Sequence, residues 1–465
     1  MKVVSYPSEK ARGSVGLKIT SSKMPLPPGP TGHWLLGNLR DYRRDRLGFL
    51  ETVRDAHGPV ARYRLGTRDF VVISEPRLIE QVLVTRNHEF GKSAITKMLA
   101  SVFGNGLLLS EGEFWLRQRR LIQPTFAQQQ IARFGETMVR HAQKLIENWR
   151  PDREVDLLVA MQEVTMTIAA ETLLGVQLAE EVQEIHEPHD FIRADFDRRT
   201  ESIVTLPQWV PTPYRLRVRA AQRKIGTIVD RLIDSRRSSS AASSDILSKL
   251  LALRDEGNRR MTDTQVRDEA LTFLFAGHET TASTLAWVWY LLATHPEAEA
   301  QLHKELSEVL AGRLPTAADV PRLGYTTNVV CEALRLFPSV YGMSRQALAD
   351  CELGGYRIPQ GTNLVLSQWL THRDAQWFSE PLEFHPNRWA PEFQKSLPHY
   401  AYFPFGGGPR VCIGNTFAMM EAVLVIATMA SRYRFQLVEG HQIRPHASVT
   451  LRPSPGVRAI CYSRQ

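Results

Sequence analysis

The sequence predicts a mainly α-helical fold with small β-sheets, organised as one large domain. Three observations carry that reading. Helical patterning runs with few breaks from about residue 112 to about residue 310. Short β-type segments gather at 57–75 and 345–366, on either side of that block. No internal repeat and no separating linker divides the chain.

Length and composition set the limits. A chain of 465 residues has room for about three average domains, or for one large domain around a buried cofactor. Apolar residues make up 43% and charged residues 23%, ordinary for a globular protein. Lys plus Arg is 57 against 49 for Asp plus Glu, a formal charge of +8. That excess is too diffuse to suggest nucleic acid; it fits a solvated basic face or an acidic partner. The four cysteines, Cys331, Cys351, Cys412 and Cys461, form no C-x-x-C pair. They suggest neither a disulfide framework nor a zinc cluster, and a reducing, cytoplasmic setting fits them. No stretch approaches the ~20 apolar residues of a bilayer span.

The elements follow in order. Residues 1–24 carry Lys2, Glu9, Lys10, Arg12, Lys18 and Lys23 without an apolar core, which predicts a disordered leader rather than an anchor or secretory signal. The folded domain then spans 25–465, starting with the stiff Pro25-Leu-Pro-Pro-Gly-Pro30. Residues 57–75 read as a hairpin turning at Gly66-Thr-Arg-Asp69. Ser238 to Ser244 is low-complexity and reads as a mobile surface loop. Thr262-Asp263 caps a helix expected to run to Thr294, before His295-Pro296. At 1.5 Å per residue it is on the order of 45–50 Å long, enough to cross the molecule. Residues 296–311 form an amphipathic helix, and 415–431 a very apolar, buried one.

The segment Phe405-Gly-Gly-Gly-Pro-Arg-Val-Cys412-Ile-Gly414 carries the chemistry. Consecutive glycines let the main chain take unusual angles and approach a flat, bulky group. Cys412 stands just before a helix start, where the dipole favours thiolate. The N–H groups of Ile413 and Gly414 can tune its sulfur, and Arg410 can reach an anion beside a metal. Gly-rich loops before helices also bind phosphate, but such a loop wants Lys-Ser or Lys-Thr where this one offers Cys.

The spacing F-x-x-G-x-R-x-C-x-G resembles the cysteine-ligand loop of the cytochrome P450 family, with Phe405, Gly408, Arg410, Cys412 and Gly414 all matching. The resemblance implies haem b buried between the long central helix and the cysteine loop. It makes Cys412 the iron ligand, with electron donation that favours O–O cleavage. Three further motifs stand in family order. Glu332-x-x-Arg335, read alone, is an ordinary i,i+3 pair; followed by Pro386-Asn-Arg-Trp389 it resembles the family's structural triad with Arg388. Asn387 departs from the acid usual there. Ala276-Gly-His-Glu-Thr-Thr281 puts a glycine, an acid and hydroxyls in mid-helix, where they are poor helix formers and costly to bury. Read blandly it is a polar kink. It also resembles the family's A/G-G-x-D/E-T motif through Ala276, Gly277, Glu279 and Thr280, which implies a relay bringing the two protons that dioxygen needs to release water. Trp115-Leu-Arg-Gln-Arg119 resembles the W-x-x-x-R helix that donates to a haem propionate, and Arg345 and Arg410 are the other candidates for those carboxylates. Alone, Trp115 reads as core. His88 and His372 receive no role.

The resemblance spans nearly the whole chain and implies a monooxygenase that uses O2 and electrons ultimately from NAD(P)H. A haem-thiolate peroxygenase ranks below it, since such members lack the acid–alcohol pair present here as Glu279-Thr280. A non-catalytic haem sensor would need neither relay nor cavity. The chain has no G-x-G-x-x-G after a strand and no iron–sulfur cysteine set, so a ferredoxin or flavodoxin with its reductase is expected to supply electrons. Arg117 and Arg120 are expected to attract that donor. Ile95, Met98, Leu99, Val102, Phe103, Phe191, Phe196, Ile203, Val204, Val340, Met343 and Val449 are expected to line an apolar pocket for a fatty acid, terpenoid or similar molecule, with Arg193, Arg198 and Arg199 at an entrance or facing water.

Overall fold

A computed structural model describes residues 24–97, 103–176, 179–201, 212–238 and 245–464. The expected leader, apart from Met24, and the serine-rich loop, apart from Ser238, lie outside the described residues. The longer helices are α1 (Arg46–His57), α2 (Gly112–Ile122), α3 (Gly135–Glu147), α4 (Leu157–Leu174), α5 (Ala179–Glu201), α6 (Pro213–Ser238), α7 (Asp263–Thr294), α8 (Pro296–Leu310), α9 (Gly324–Leu336) and α10 (Asn415–Ala430). The mainly α architecture with small sheets is the one expected.

Helix α7 is the axle. The Thr262 hydroxyl accepts from Gln265 N at 3.2 Å while the Gln265 side chain accepts from Thr262 N at 2.8 Å, a reciprocal cap that satisfies two N-terminal donors. The helix runs 32 residues and stops at Thr294, because Pro296 forces the preceding His295 out of helical angles. It is apolar nearly all round and packs against α4, α6, α9 and α10. Helix α4 is the one described helix long and apolar enough to cross a bilayer, which sequence inspection passed over; 72% of it is buried against protein, so it is a core helix.

The main sheet has strand order β1 (Val60–Leu65), β2 (Arg68–Ile73), β8 (Asn363–Leu366), β5 (Met343–Ala347), β3 (Phe90–Gly91). Leu65 pairs with Arg68, so the hairpin turns on Gly66-Thr67, a tighter turn than the four residues expected, with Gly66 left-handed at φ +61°. The Pro-rich segment is pinned to the domain: Arg62 N donates to Pro28 O at 2.7 Å and Arg357 N to Pro25 O at 2.9 Å. Helix α10 is buried from Met420 to Ala430, but most of its first turn is partly accessible beside the cysteine loop, a departure from the fully buried helix expected.

Candidate functional site

The cysteine loop is a tight backbone hairpin. Cys412 N donates to Phe405 O at 3.0 Å, and Gly408 N donates to the Tyr400 hydroxyl at 3.0 Å. Gly406 and Gly408 are left-handed, and a Cβ on Gly408 would run into the backbone of Leu83. These glycines are therefore dictated by close packing as well as by conformation. Phe405 packs its ring on the main core and anchors the start of the loop.

Cys412 is the one exposed cysteine of the four, although protein atoms crowd round its thiol. Burial raises its pKa; the Gly414 N–H and the Arg119 guanidinium act in the opposite direction. The helix start therefore does not set the thiol's charge by itself, because desolvation outweighs it.

Beneath the loop lies the triad. Arg335 is fully buried and grips Glu332 with two hydrogen bonds of 2.9 and 2.8 Å. Arg388 Nε donates to Glu332 at 2.8 Å, as do Trp389 Nε1 at 2.9 Å and His385 N at 3.0 Å. The remaining Arg335 donors go to the carbonyls of His372, Pro381 and Glu383. Asn387, the residue that departs from the family pattern, faces outward to Gln301 at 3.0 Å and takes no part. His372 has a structural job: its Nε2 accepts from Phe403 N at 2.9 Å, and burial holds its pKa well below the usual value, so it is neutral.

Beside the loop three cations converge. Lys92 is buried and drops to about 7, first through burial and then through Arg410 and Arg345. Arg410 falls to about 10 through burial and Arg345. Burial also lowers Arg345. Arg410 donates to Ser110 O at 3.0 Å and lies 4.2 Å from the Trp115 ring centroid. Lys92 donates to Leu108 O. Cations lowered chiefly by burial, with Arg345 acting on Arg410 and both acting on Lys92, need more anionic charge than nearby Glu111 supplies. A flat group with two carboxylates fits this donor set, and haem b is such a group. Arg119, expected as a propionate donor, donates to Val411 O at 2.9 Å, next to the cysteine, and to Gln123 at 3.3 Å.

In the middle of α7, buried residues give way to an accessible Ala276 and partly accessible Gly277 and Thr280. The Thr280 hydroxyl donates to Ala276 O at 2.7 Å, and Thr281 to Gly277 O at 2.9 Å. The Glu279 carboxylate accepts from Thr450 at 3.2 Å and faces Arg193 at 3.9 Å. Arg193 thus reaches inward from α5, which replaces the expected entrance role. Glu421 of α10 was missed, although a lone acid in an apolar run is a legible signal. It lies beside Thr281, and burial drives its carboxyl well above the usual range, so it is a neutral acid. Lys92 left no signal in the sequence.

Of the expected pocket wall, Met98, Leu99, Val102, Ile203 and Val204 lie outside the described residues, as do the side chains of Ile95, Phe196 and Arg199. Phe103 is buried edge-on to Phe275 at 5.2 Å, Val340 is half-buried and Val449 is exposed. Phe191 packs on Tyr214 at 5.4 Å, under Arg198. Met343 packs with the sheet core and the cysteine loop at Gly406. Of the two arginines expected to attract the electron donor, Arg117 pairs with Asp255 at 2.8 Å and Arg120 is exposed.

Fold and site together define an enzyme class in which a glycine-rich cysteine loop, a cluster of cations and a polar break in the central helix occur in one domain. A family model described as Cytochrome P450 matches residues 27–458. Cyclooctatin synthase of Streptomyces melanosporofaciens is 37% identical over 429 residues, covering 92% of this chain and 93% of that protein. Cyclooctat-9-en-7-ol 5-monooxygenase of the same organism is 36% identical over 434 residues, covering 91% and 94%. The crystal structure of the cytochrome P450DA heme domain superposes with a TM-score of 0.86 at 25% identity, covering 95% of this chain and 98% of that one. The chain belongs to the cytochrome P450 family and is a monooxygenase.

Proposed function

We propose that this protein inserts one oxygen atom from O2 into an apolar, terpenoid-like molecule, with Cys412 as the thiolate ligand of haem b. The single observation that carries the reading is the accessible thiol of Cys412 at the end of a loop held from all sides. Haem bound there supplies the iron chemistry that reduces and cleaves O2.

The chain's own residues do the rest. Arg119 fixes the carbonyl of Val411 and, with the Gly414 N–H, favours negative charge on the sulfur. Lys92, Arg345 and Arg410 take the two carboxylates, with Trp115 backing Arg410. Ala276 and Gly277 leave open the α7 surface that borders the reaction space; a Cβ at Gly277 would meet only Leu173, at 3.6 Å. The Thr280 hydroxyl, which donates to Ala276 O of its own helix, can rotate to donate a proton and be recharged by way of Glu279, whose carboxylate is steered by Thr450.

The substrate class rests on two supports. Leu271, Phe275 and Phe103 give the α7 region an apolar lining, and one relative is named for oxidising cyclooctat-9-en-7-ol, an unsaturated alcohol. Electrons ultimately from NAD(P)H come through a separate ferredoxin or flavodoxin with its reductase. An open groove of about 540 Å3 on the cysteine side reaches Val411, one residue from the ligand, which favours donor docking there. Exposed Arg120 lies on the neighbouring α2.

The test is spectral. Reduced holoprotein with CO should show the strongly red-shifted band of thiolate-bound haem, and Cys412→Ser should lose it while the other three cysteines are replaceable. A band that survives in Cys412→Ser would overturn the assignment. Comparing product from O2 and a reductase system with product from peroxide separates the monooxygenase from a peroxygenase.

A further inference from the structure

Trp34 is 79% exposed, Leu35 52% and Leu36 39%: three consecutive large apolar side chains in water. Scattered exposed leucines need no explanation, but a contiguous run crowned by tryptophan does.

The backbone beneath them is tightly built. His33 N donates to Gly37 O at 2.9 Å and Gly37 N to His33 O at 2.7 Å. The His33 Nδ1 accepts from Leu35 N at 3.2 Å and Leu36 N at 3.3 Å. The Arg64 guanidinium donates to His33 O at 2.8 Å and Trp34 O at 2.7 Å. Leu36 O accepts from Gly66 N at 2.9 Å, tying the turn to the tip of the β1–β2 hairpin. Gly37 is left-handed at φ +59°, and a Cβ there would strike the Arg64 carbonyl. Every hydrogen bond holds the loop rigid, and none draws the three side chains inward. The turn presents them.

The surroundings are basic. Arg40 and Arg44 are exposed on the short helix that follows, Leu39–Arg44, and Arg62 and Arg68 on the hairpin that carries the turn, against Asp41, Asp45 and Asp69. A rigid tip of Trp and Leu inside a ring of arginines has the chemistry of the headgroup boundary of an anionic bilayer. Tryptophan prefers that boundary, leucine the acyl layer just beneath, and arginine the lipid phosphates. We propose that the Trp34-Leu35-Leu36 turn docks the protein peripherally on an anionic lipid surface. The docked state would place the enzyme where apolar substrates concentrate.

The experiment uses the full-length holoenzyme and flotation with vesicles of phosphatidylcholine, with and without phosphatidylglycerol. Wild type should float with the anionic vesicles, less with the zwitterionic ones, and less as salt rises. Trp34→Ser combined with Leu35→Ser and Leu36→Ser should weaken flotation roughly tenfold or more, with haem absorption unchanged. Brominated-acyl lipids should quench a fluorescence component that Trp34→Phe, which keeps the apolar contact, no longer shows; this arm decides the matter even if the triple variant folds badly. Wild type that stays off anionic vesicles, or a triple variant that floats equally well, overturns the proposal. So does a wild-type dimer that the triple substitution dissociates, because the turn would then cover a second copy.

Discussion

Glu332 and Glu279 are both buried acids on core helices, and their surroundings could hardly differ more. Around Glu332, two guanidinium groups, an indole N–H and a main-chain N–H converge on one carboxylate, and the donors left over are satisfied by five carbonyls. Among the contacts of Glu279 are a hydroxyl at 3.2 Å and Arg193 at 3.9 Å, while the Thr280 hydroxyl next door donates to Ala276 O of its own helix. The first region has a full complement of partners and one arrangement. The second keeps groups that can change partner. In the proposed function the first lies under a metal ligand and has to hold still, while the second carries protons and has to move, so one molecule would build the two by opposite rules.

The comparison breaks first, and hardest, at Glu332. Glu332→Gln removes the counter-charge of a wholly buried Arg335, which costs about 3–5 kcal/mol when one partner of a buried pair is lost. Urea unfolding of the holoprotein should show that loss together with poor haem retention. A variant as stable as wild type to within ~1 kcal/mol would mean the network is ornamental.

Glu269, one helical half earlier on α7, tests the middle ground. Its carboxylate accepts only from neutral donors, Leu107 N at 2.9 Å and Gln118 Nε2 at 3.3 Å, and burial pushes it up to about 7. A folded pKa above the ordinary 4.5 means that the folded state binds the extra proton. Its stabilising effect is therefore complete below about pH 4.5 and is lost as pH rises toward about 7. That is on the order of 2–3 kcal/mol for a buried group. Glu269→Gln should flatten this part of the stability-versus-pH curve measured by chemical denaturation. An unchanged slope would show that the carboxyl is solvated in solution.

The smallest effect on stability, and the most specific one on chemistry, is expected at Thr280. Thr280→Ala replaces a β-branched residue by a better helix former and should change stability by less than ~1 kcal/mol. Peroxide released per NAD(P)H consumed should nevertheless rise severalfold, with substrate affinity kept. Equal coupling in wild type and variant would argue that protons reach the site without this hydroxyl.

Much of this was legible in the chain. Helix α7 was readable to the residue because Thr262 and Gln265 cap it locally and Pro296 ends it locally. Cys412, its glycines and the Glu332–Arg335 spacing were readable because each demands particular residue types at fixed separations. The pairing of Arg117 with Asp255 was not legible, because the two are distant in sequence and nothing in a helical face says which arginine finds an acid across the fold. Lys92 was invisible for the same reason: only tertiary packing brings it beside Arg345 and Arg410.

What the sequence determined by itself, then, is everything set by short-range stereochemistry: the mainly helical class, the ends of the central helix and the glycine-permitted loop that carries Cys412. What only the tertiary structure decided is the state of charge. The thiol rises rather than falls, a lysine drops to about 7 and a glutamate climbs to about 7, because desolvation and the sum of distant charges fix a pKa, and both are properties of the packed interior.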